Sequence, residues 1–273
     1  MVAIRDMVKE KTLDLETIKA RYYETGEGYP TIFLHGLGFT SGGSDWFPSI
    51  AEGIGEKVHV IALDMMSWGL DRPNWRFSLP YLVDHVREVQ DKLGLKKTNM
   101  VGHSLGGWVS ALLAYESPER VNKLVLVAHA GLNPNPPPNL ATFKLPTKEE
   151  ITAGLQVVED ADVRNSMIED RWRHTNAPGA AEAYGRVAEM FQDMDMRRRY
   201  YLLRRLPEIK VPTMLIYGEE DIIYPPVTAE KNMREVVRDS IPGARYEVLP
   251  KTGHLIPTDN PKELTRLLKD FLG

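Results

Sequence analysis

The stretch "NMVGHSLGGWVSALLAYESPERV", residues 99–121, decides how the chain is read. It opens on a short apolar run, "NMVG", that lacks polar alternation, as expected of a strand covered on both faces. It closes on "WVSALLAYE", a helical pattern rich in Ala and Leu. Gly102-His103-Ser104-Leu105-Gly106-Gly107 joins the two. A Gly-x-Ser-x-Gly turn between strand and helix holds its serine on a strained backbone, and its glycines leave room where side chains would clash. Gly and Ser are common enough that the pattern alone is weak. The strand before it and the helix after it supply the required context, so Ser104 is the candidate nucleophile.

A serine hydroxyl needs a base, and the base needs an orienting acid. On a strand–turn–helix scaffold these follow in the order serine, acid, histidine, each in a loop after a later strand. "TMLIYGEEDIIYPP" (213–226) offers a strand and then Glu219, Glu220 and Asp221, of which Asp221 is preferred as the acid. "RYEVLPKTGHLIP" (245–257) offers another strand and then His254. His35, His59, His85, His103, His129 and His174 precede the acids in the chain and read as hydrogen-bonded structural side chains. His254 is placed for the base. A glycine-rich loop, "LHGLGF" (34–39), can turn a backbone N–H toward an oxyanion, and the N–H of Leu105 is the expected second donor.

Farther out, "TIFL" (31–34), "VHVIAL" (58–63), "KLVLVA" (123–128), 213–218 and 245–249 read as further strands of a mostly parallel open sheet with helices on both faces. "DLETIKARYYETG" (14–26) alternates and is expected to supply one or two antiparallel edge strands. In residues 78–94, Leu79, Leu82, Val83, Val86, Val89 and Leu93 share a helix face, with Ser78 as cap and Gly94 as stop. Asn260 and Glu263 read as a reciprocal cap of the last helix. After residue 131 a proline-rich exit leads into an all-helical block, and the strand pattern resumes near Val211. That describes an insertion, 132–207, in a core made of 1–131 and 208–273. Its Met167, Met190, Met194, Met196, Trp172 and Phe191 fit either a pocket wall or the insertion's own core. "MRRRYYLLRR" (196–205) reads as a solvated charged face.

With 273 residues, no cysteine and a net charge of −4, the chain is long enough for a substantial core and does not favour nucleic acid or an anionic membrane as partner. Its opening residues, "MVAIRDMVKEKT", lack the apolar run of a secretory signal and no apolar run is long enough for a membrane span, so a cytoplasmic location is expected. No His-Glu-x-x-His and no Gly-x-Gly-x-x-Gly after a strand is present, so neither metal nor dinucleotide cofactor is expected.

Taken together, His35-Gly36-Leu37-Gly38, "DMMSWG" (64–69), Gly102 to Gly107, Asp221 and His254 resemble the α/β-hydrolase superfamily over nearly the whole chain. That resemblance implies a serine hydrolase whose oxyanion N–H groups come from Leu37 and Leu105, with residues 132–207 as a helical cap over the site. "HGLGFTSGG", "AGLNP" and "EDRWRHT" are similar to meta-cleavage product hydrolases, which cut a carbon–carbon bond in vinylogous diketo acids. On that resemblance Gly36, Gly38, Arg171 and Trp172 lie along the substrate, with Arg171 at its acid end. Three positions depart from that group, which usually has Pro-Gly for Phe39-Thr40, Asn for His103 and Trp for Leu255. The leading expectation is therefore hydrolysis of a carboxylic ester with an apolar moiety. Carbon–carbon hydrolysis is the alternative, and a ligand receptor that keeps the triad is a more distant one. The expected partner is a small-molecule substrate, with a homodimer left open.

Overall fold

Eight strands form one sheet: β1 Lys9–Asp14, β2 Lys19–Thr25, β3 Tyr29–Leu34, β4 Val58–Leu63, β5 Thr98–His103, β6 Val121–Val127, β7 Thr213–Gly218 and β8 Arg245–Leu249. Their order across the sheet is β1-β2-β4-β3-β5-β6-β7-β8. β1 and β2, and β2 and β4, pair antiparallel, and every other neighbouring pair is parallel. The continuous apolar runs become the middle of the sheet, where β5 and β7 are buried throughout, as strands covered on both faces must be. The computed structural model describes residues 2–16, 18–37, 41–65, 77–133, 144–223 and 233–273. Gly38, Phe39, Thr40, the end of "DMMSWG" and the proline run 134–138 lie outside the described residues.

The antiparallel edge differs from expectation at its outer strand. β2 comes from "DLETIKARYYETG", but its partner β1 comes from the preceding "KEKTLD". Nearly all of β1 is exposed, so it pairs through its backbone without an apolar face that a pattern could reveal.

The helix Leu79–Lys92 forms as read: the Ser78 hydroxyl accepts from the Tyr81 N–H at 3.2 Å, and the expected apolar face is buried apart from Leu93, which is half-buried just past the helix end. The cap of the last helix, Pro261–Leu272, is not the reciprocal one. Asn260 instead donates through Nδ2 to Thr252 Oγ1 at 3.0 Å, and Glu263 pairs with Arg266 at 2.6 Å. Among the described residues no helix is long and apolar enough to cross a membrane.

Between β6 and β7 the described chain is helical: Lys148–Gly154, Ala161–Thr175, Ala180–Gln192 and Met194–Arg199, with short 3-10 turns after them. Met167, Met190, Met196 and Phe191 are buried in the hydrophobic core. Arg197 departs from the solvated-face reading. It is buried, lies 5.8 Å over the rings of both Trp108 and Phe191, and donates to the carbonyls of Phe191 and Asn133. Its aliphatic stem and planar cation suit that stacked position.

The helix Ala161–Thr175 meets the sheet edge through a buried network. Arg21 on β2 donates through Nε to Asp64 Oδ2 at 2.6 Å, just beyond β4, and through Nη1 to Asp170 Oδ1 at 2.7 Å. Tyr23 OH and Arg173 Nη2 donate to the same Asp170 oxygen, and Arg21 Nη2 donates to His174 Nε2. Burial alone would push the Asp170 carboxyl up, but His174 and Arg21 beside it hold it well below the usual carboxylate range. Burial pushes the His174 imidazole down despite Asp170 and Asp64 nearby. Arg21→Ala removes the cation that Asp64 and Asp170 share and leaves Arg173 as the arginine on Asp170. A loss of about 3–5 kcal/mol is expected from breaking one member of a buried pair. Urea unfolding at pH 7 and at pH 5 checks it, and the loss should shrink at the lower pH, where Asp170, released from Arg21, takes up a proton more readily.

Candidate active site

The turn that carries Ser104 is fixed by close backbone approach. Ser104 has φ 50° and ψ −111°, a strained conformation for a residue with a side chain. A Cβ on Gly106 would sit 2.4 Å from the Leu34 carbonyl oxygen, and one on Gly102 would sit 2.3 Å from the Gly106 carbonyl oxygen. Both glycines are therefore required by packing. Three backbone hydrogen bonds lock the turn to neighbouring strand ends. Ser104 N donates to Val127 O at 2.9 Å, Gly106 N to His35 O at 3.0 Å and Ala130 N to Ser104 O at 2.8 Å.

The structure brings Ser104, His254 and Asp221 into one hydrogen-bonded line. His254 Nε2 lies 3.1 Å from Ser104 Oγ, and His254 Nδ1 lies 2.8 Å from Asp221 Oδ2. The carboxylate accepts at that nitrogen, so Nδ1 carries the proton and Nε2 faces the serine as an acceptor. Asp221 is buried, and its other oxygen accepts the Ile223 N–H at 2.9 Å. Glu219 is instead exposed and accepts the Lys251 N–H at 3.2 Å, and Glu220 is exposed. The remaining histidines hold loops or strands. His35 Nδ1 bonds Gly36 O at 2.8 Å and its Nε2 accepts the Met65 N–H at 3.1 Å, while His59 pairs with Glu24 at 2.9 Å.

A cavity of about 180 Å³ opens on Ser104 and His254, and Gly36, Leu37, Asp45 and Arg171 line it as well. Leu105 is the first residue of the helix Leu105–Glu116, so its N–H has no acceptor within that helix. Trp172 does not line this cavity. It packs half-buried against the core, and its carbonyl accepts from Asn176. Gly38 lies outside the described residues.

Arg171 reaches the cavity from the helix Ala161–Thr175, and its Nη2 donates to Asp45 Oδ1 at 2.9 Å. Both side chains are mostly shielded, at 18% and 9% exposure. Arg171 Nε is buried without a partner among the described residues. Reading the sequence did not single out Asp45; the only signal is an acidic residue in the glycine-rich loop "TSGGSDW". Gly106→Ala should push the turn off the Leu34 and His35 carbonyls. A loss of about 1–3 kcal/mol in thermal unfolding is expected from such overpacking, together with a large fall in serine reactivity toward an organophosphonate.

Residues 31–267 match the model of the alpha/beta hydrolase family. The chain is 28% identical to a 2-hydroxymuconate semialdehyde hydrolase of Pseudomonas putida, over 93% of this chain and 91% of that one. It is 27% identical to a 2-hydroxy-6-oxo-6-phenylhexa-2,4-dienoate hydrolase of Comamonas testosteroni, over 95% of this chain and 93% of that one. Among solved structures, a meta-cleavage product hydrolase from Pseudomonas fluorescens IP01 superposes with a TM-score of 0.76 at 25% identity, covering 96% of each chain. The family and these relatives support an enzyme over a ligand receptor.

Proposed function

The chain belongs to the alpha/beta hydrolase family, and within it we propose a serine hydrolase that cleaves the carbon–carbon bond beside a ketone in a vinylogous diketo acid. One observation carries the choice of substrate: the largely buried Arg171 lines the same cavity as Ser104. The names of the relatives point the same way.

A carbon–carbon bond next to a ketone breaks readily only if the departing electron pair is delocalised. In a vinylogous keto acid the conjugated chain takes that pair, and its far end is an acid that an arginine can hold. In this reading Ser104 Oγ attacks the ketone carbon while His254 Nε2, 3.1 Å away, takes the hydroxyl proton. Asp221 keeps the imidazole tautomer fixed and stabilises its charged form. The N–H groups of Leu37 and Leu105 hold the oxyanion. Collapse expels the conjugated carbon fragment, which ends protonated at carbon with the proton His254 had taken. Water then attacks the acyl-serine, giving its proton to His254, and Ser104 Oγ leaves with a proton. The two products together contain the substrate plus one water. The cap is residues 132–207 and the core residues 1–131 and 208–273, with a cytoplasmic location.

Ester hydrolysis remains a second reading because Asp45 already compensates the charge of Arg171 at 2.9 Å, and Leu255 and Phe39-Thr40 depart from the meta-cleavage pattern. The same Ser104, His254 and Asp221 would serve it, with an alkoxide as leaving group. The test compares loss of colour from 2-hydroxy-6-oxo-6-phenylhexa-2,4-dienoate, which carries the ketone, with release of p-nitrophenol from short-chain esters. Ring-fission substrate should be turned over with kcat/KM at least tenfold above the best ester. Ser104→Ala should lower both by about a thousandfold or more. Arg171→Gln should raise KM for the acid well beyond its effect on the neutral ester. Faster turnover of the ester, with Arg171→Gln altering both substrates equally, would decide for the second reading.

A further inference from the structure

His103, the residue before Ser104, plays no part in the mechanism above, yet it touches the machinery at its most sensitive joint. It ends β5 and is buried. Its Nε2 lies 2.9 Å from the backbone carbonyl oxygen of His254, and the two imidazole rings stand 5.2 Å apart. A carbonyl only accepts, so His103 Nε2 carries the proton and donates it. Burial, with His254 beside it, pushes the His103 imidazole down to about 4, so the ring is neutral near pH 7.

The acid and base loops are joined to each other by several bonds. Glu219 N donates to Leu249 O at 2.9 Å, Glu220 N to Thr252 O at 2.9 Å and Lys251 N to Glu219 Oε2 at 3.2 Å. The loops that carry Asp221 and His254 at the ends of β7 and β8 are therefore tied to each other. The nucleophile directly follows β5, with β6 and β7 between that strand and β8. The bond from His103 to the His254 carbonyl ties those loops directly to the strand that precedes Ser104. It anchors the backbone, where the Ser104–His254 bond joins only side chains.

We propose that His103 is a positioning residue: by pinning the His254 carbonyl to β5 it sets the separation of the Ser104 hydroxyl and the His254 imidazole. This rests on the Ser104–His254–Asp221 reading, whichever bond is cut. His103 also lines the cavity, yet on this proposal its loss falls mainly on the rate of nucleophilic attack and only slightly on substrate affinity.

The test uses the full chain and a fluorophosphonate probe, which reports the competence of the serine without any natural substrate. His103→Ala should slow labelling and kcat at least tenfold, with KM within about twofold of the parent. His103→Gln can donate over a similar reach and should bring labelling back to within about threefold. His103→Asn is too short to reach the carbonyl and should resemble Ala, which provides a second slow variant where Ala folds poorly. Circular dichroism and unfolding midpoints accompany each variant. Parent-rate labelling of a folded His103→Ala or His103→Asn protein overturns the proposal. So does equal slowing in the Gln and Asn variants, which a merely structural role would produce. A Ser104→Ala control that still labels would overturn the triad reading itself. A silent control beside a fast His103→Ala removes His103 alone.

Discussion

The site depends on one close approach of backbone to backbone. Gly106 sits against the Leu34 and His35 carbonyls, which a Cβ could not do. That contact lets the helix Leu105–Glu116 start immediately after β5 and forces Ser104 to φ 50°. Strain of this kind costs about 1–3 kcal/mol and persists only where the surroundings over-determine it. Here hydrogen bonds to Val127, His35 and Ala130 do so, tying the turn to the ends of β3 and β6. The loops after β3, β5, β7 and β8 consequently converge at the carboxyl ends of the parallel strands, where open α/β sheets place their ligands. His254 and Asp221 need no special conformation of their own, because the sheet already delivers their loops to that edge.

The buried network around Arg21 sets the other wall. Buried ion pairs add little net stability, since desolvation offsets their attraction, but they fix geometry when every partner is engaged. Asp170, Arg173 and His174 stand at positions i, i+3 and i+4, on one side of the helix Ala161–Thr175, and all three join that network. Arg171 is rotated by about 100° from Asp170, which carries it off that side and into the cavity with Ser104. Asp64 extends the arrangement by accepting the Gly43 N–H at 2.7 Å, two residues before Asp45. Both members of the Arg171–Asp45 pair are thus placed by one cluster of charges anchored on β2 and β4.

Much of this was legible from residue order because central strands and a nucleophile turn impose local demands. Six strands could be placed from the sequence, several of them as continuous apolar runs, and the turn betrays itself as glycines around a serine. β1 was not legible, because an exposed edge strand has no apolar side to encode. The cap on the last helix misled, since Asn260 prefers a tertiary partner, Thr252, that is adjacent only after folding. Asp221 and His254 could be picked from order alone, whereas Asp45 could not: its partner Arg171 is 126 residues away and no short spacing links them. His103 was recognised as a structural histidine, but its contact with the His254 carbonyl spans 151 residues and belongs to the fold.

The Arg171–Asp45 pair bears on what the cavity can accept. A guanidinium offers five donors in a rigid fork, and Asp45 engages one nitrogen at 2.9 Å. Arg171 Nε is left buried without a partner among the described residues. An unsatisfied buried donor costs about 1–3 kcal/mol, and a protein gains nothing from that cost unless an acceptor relieves it at some stage. On the proposed reading a substrate oxygen would meet the guanidinium while Asp45 keeps its bond to Nη2. The fork geometry then favours an acceptor with two oxygens in a plane over a single hydroxyl. Asp45 opposes the full negative charge of such a group across a small cavity, so the match in shape and the mismatch in charge pull against each other at this position.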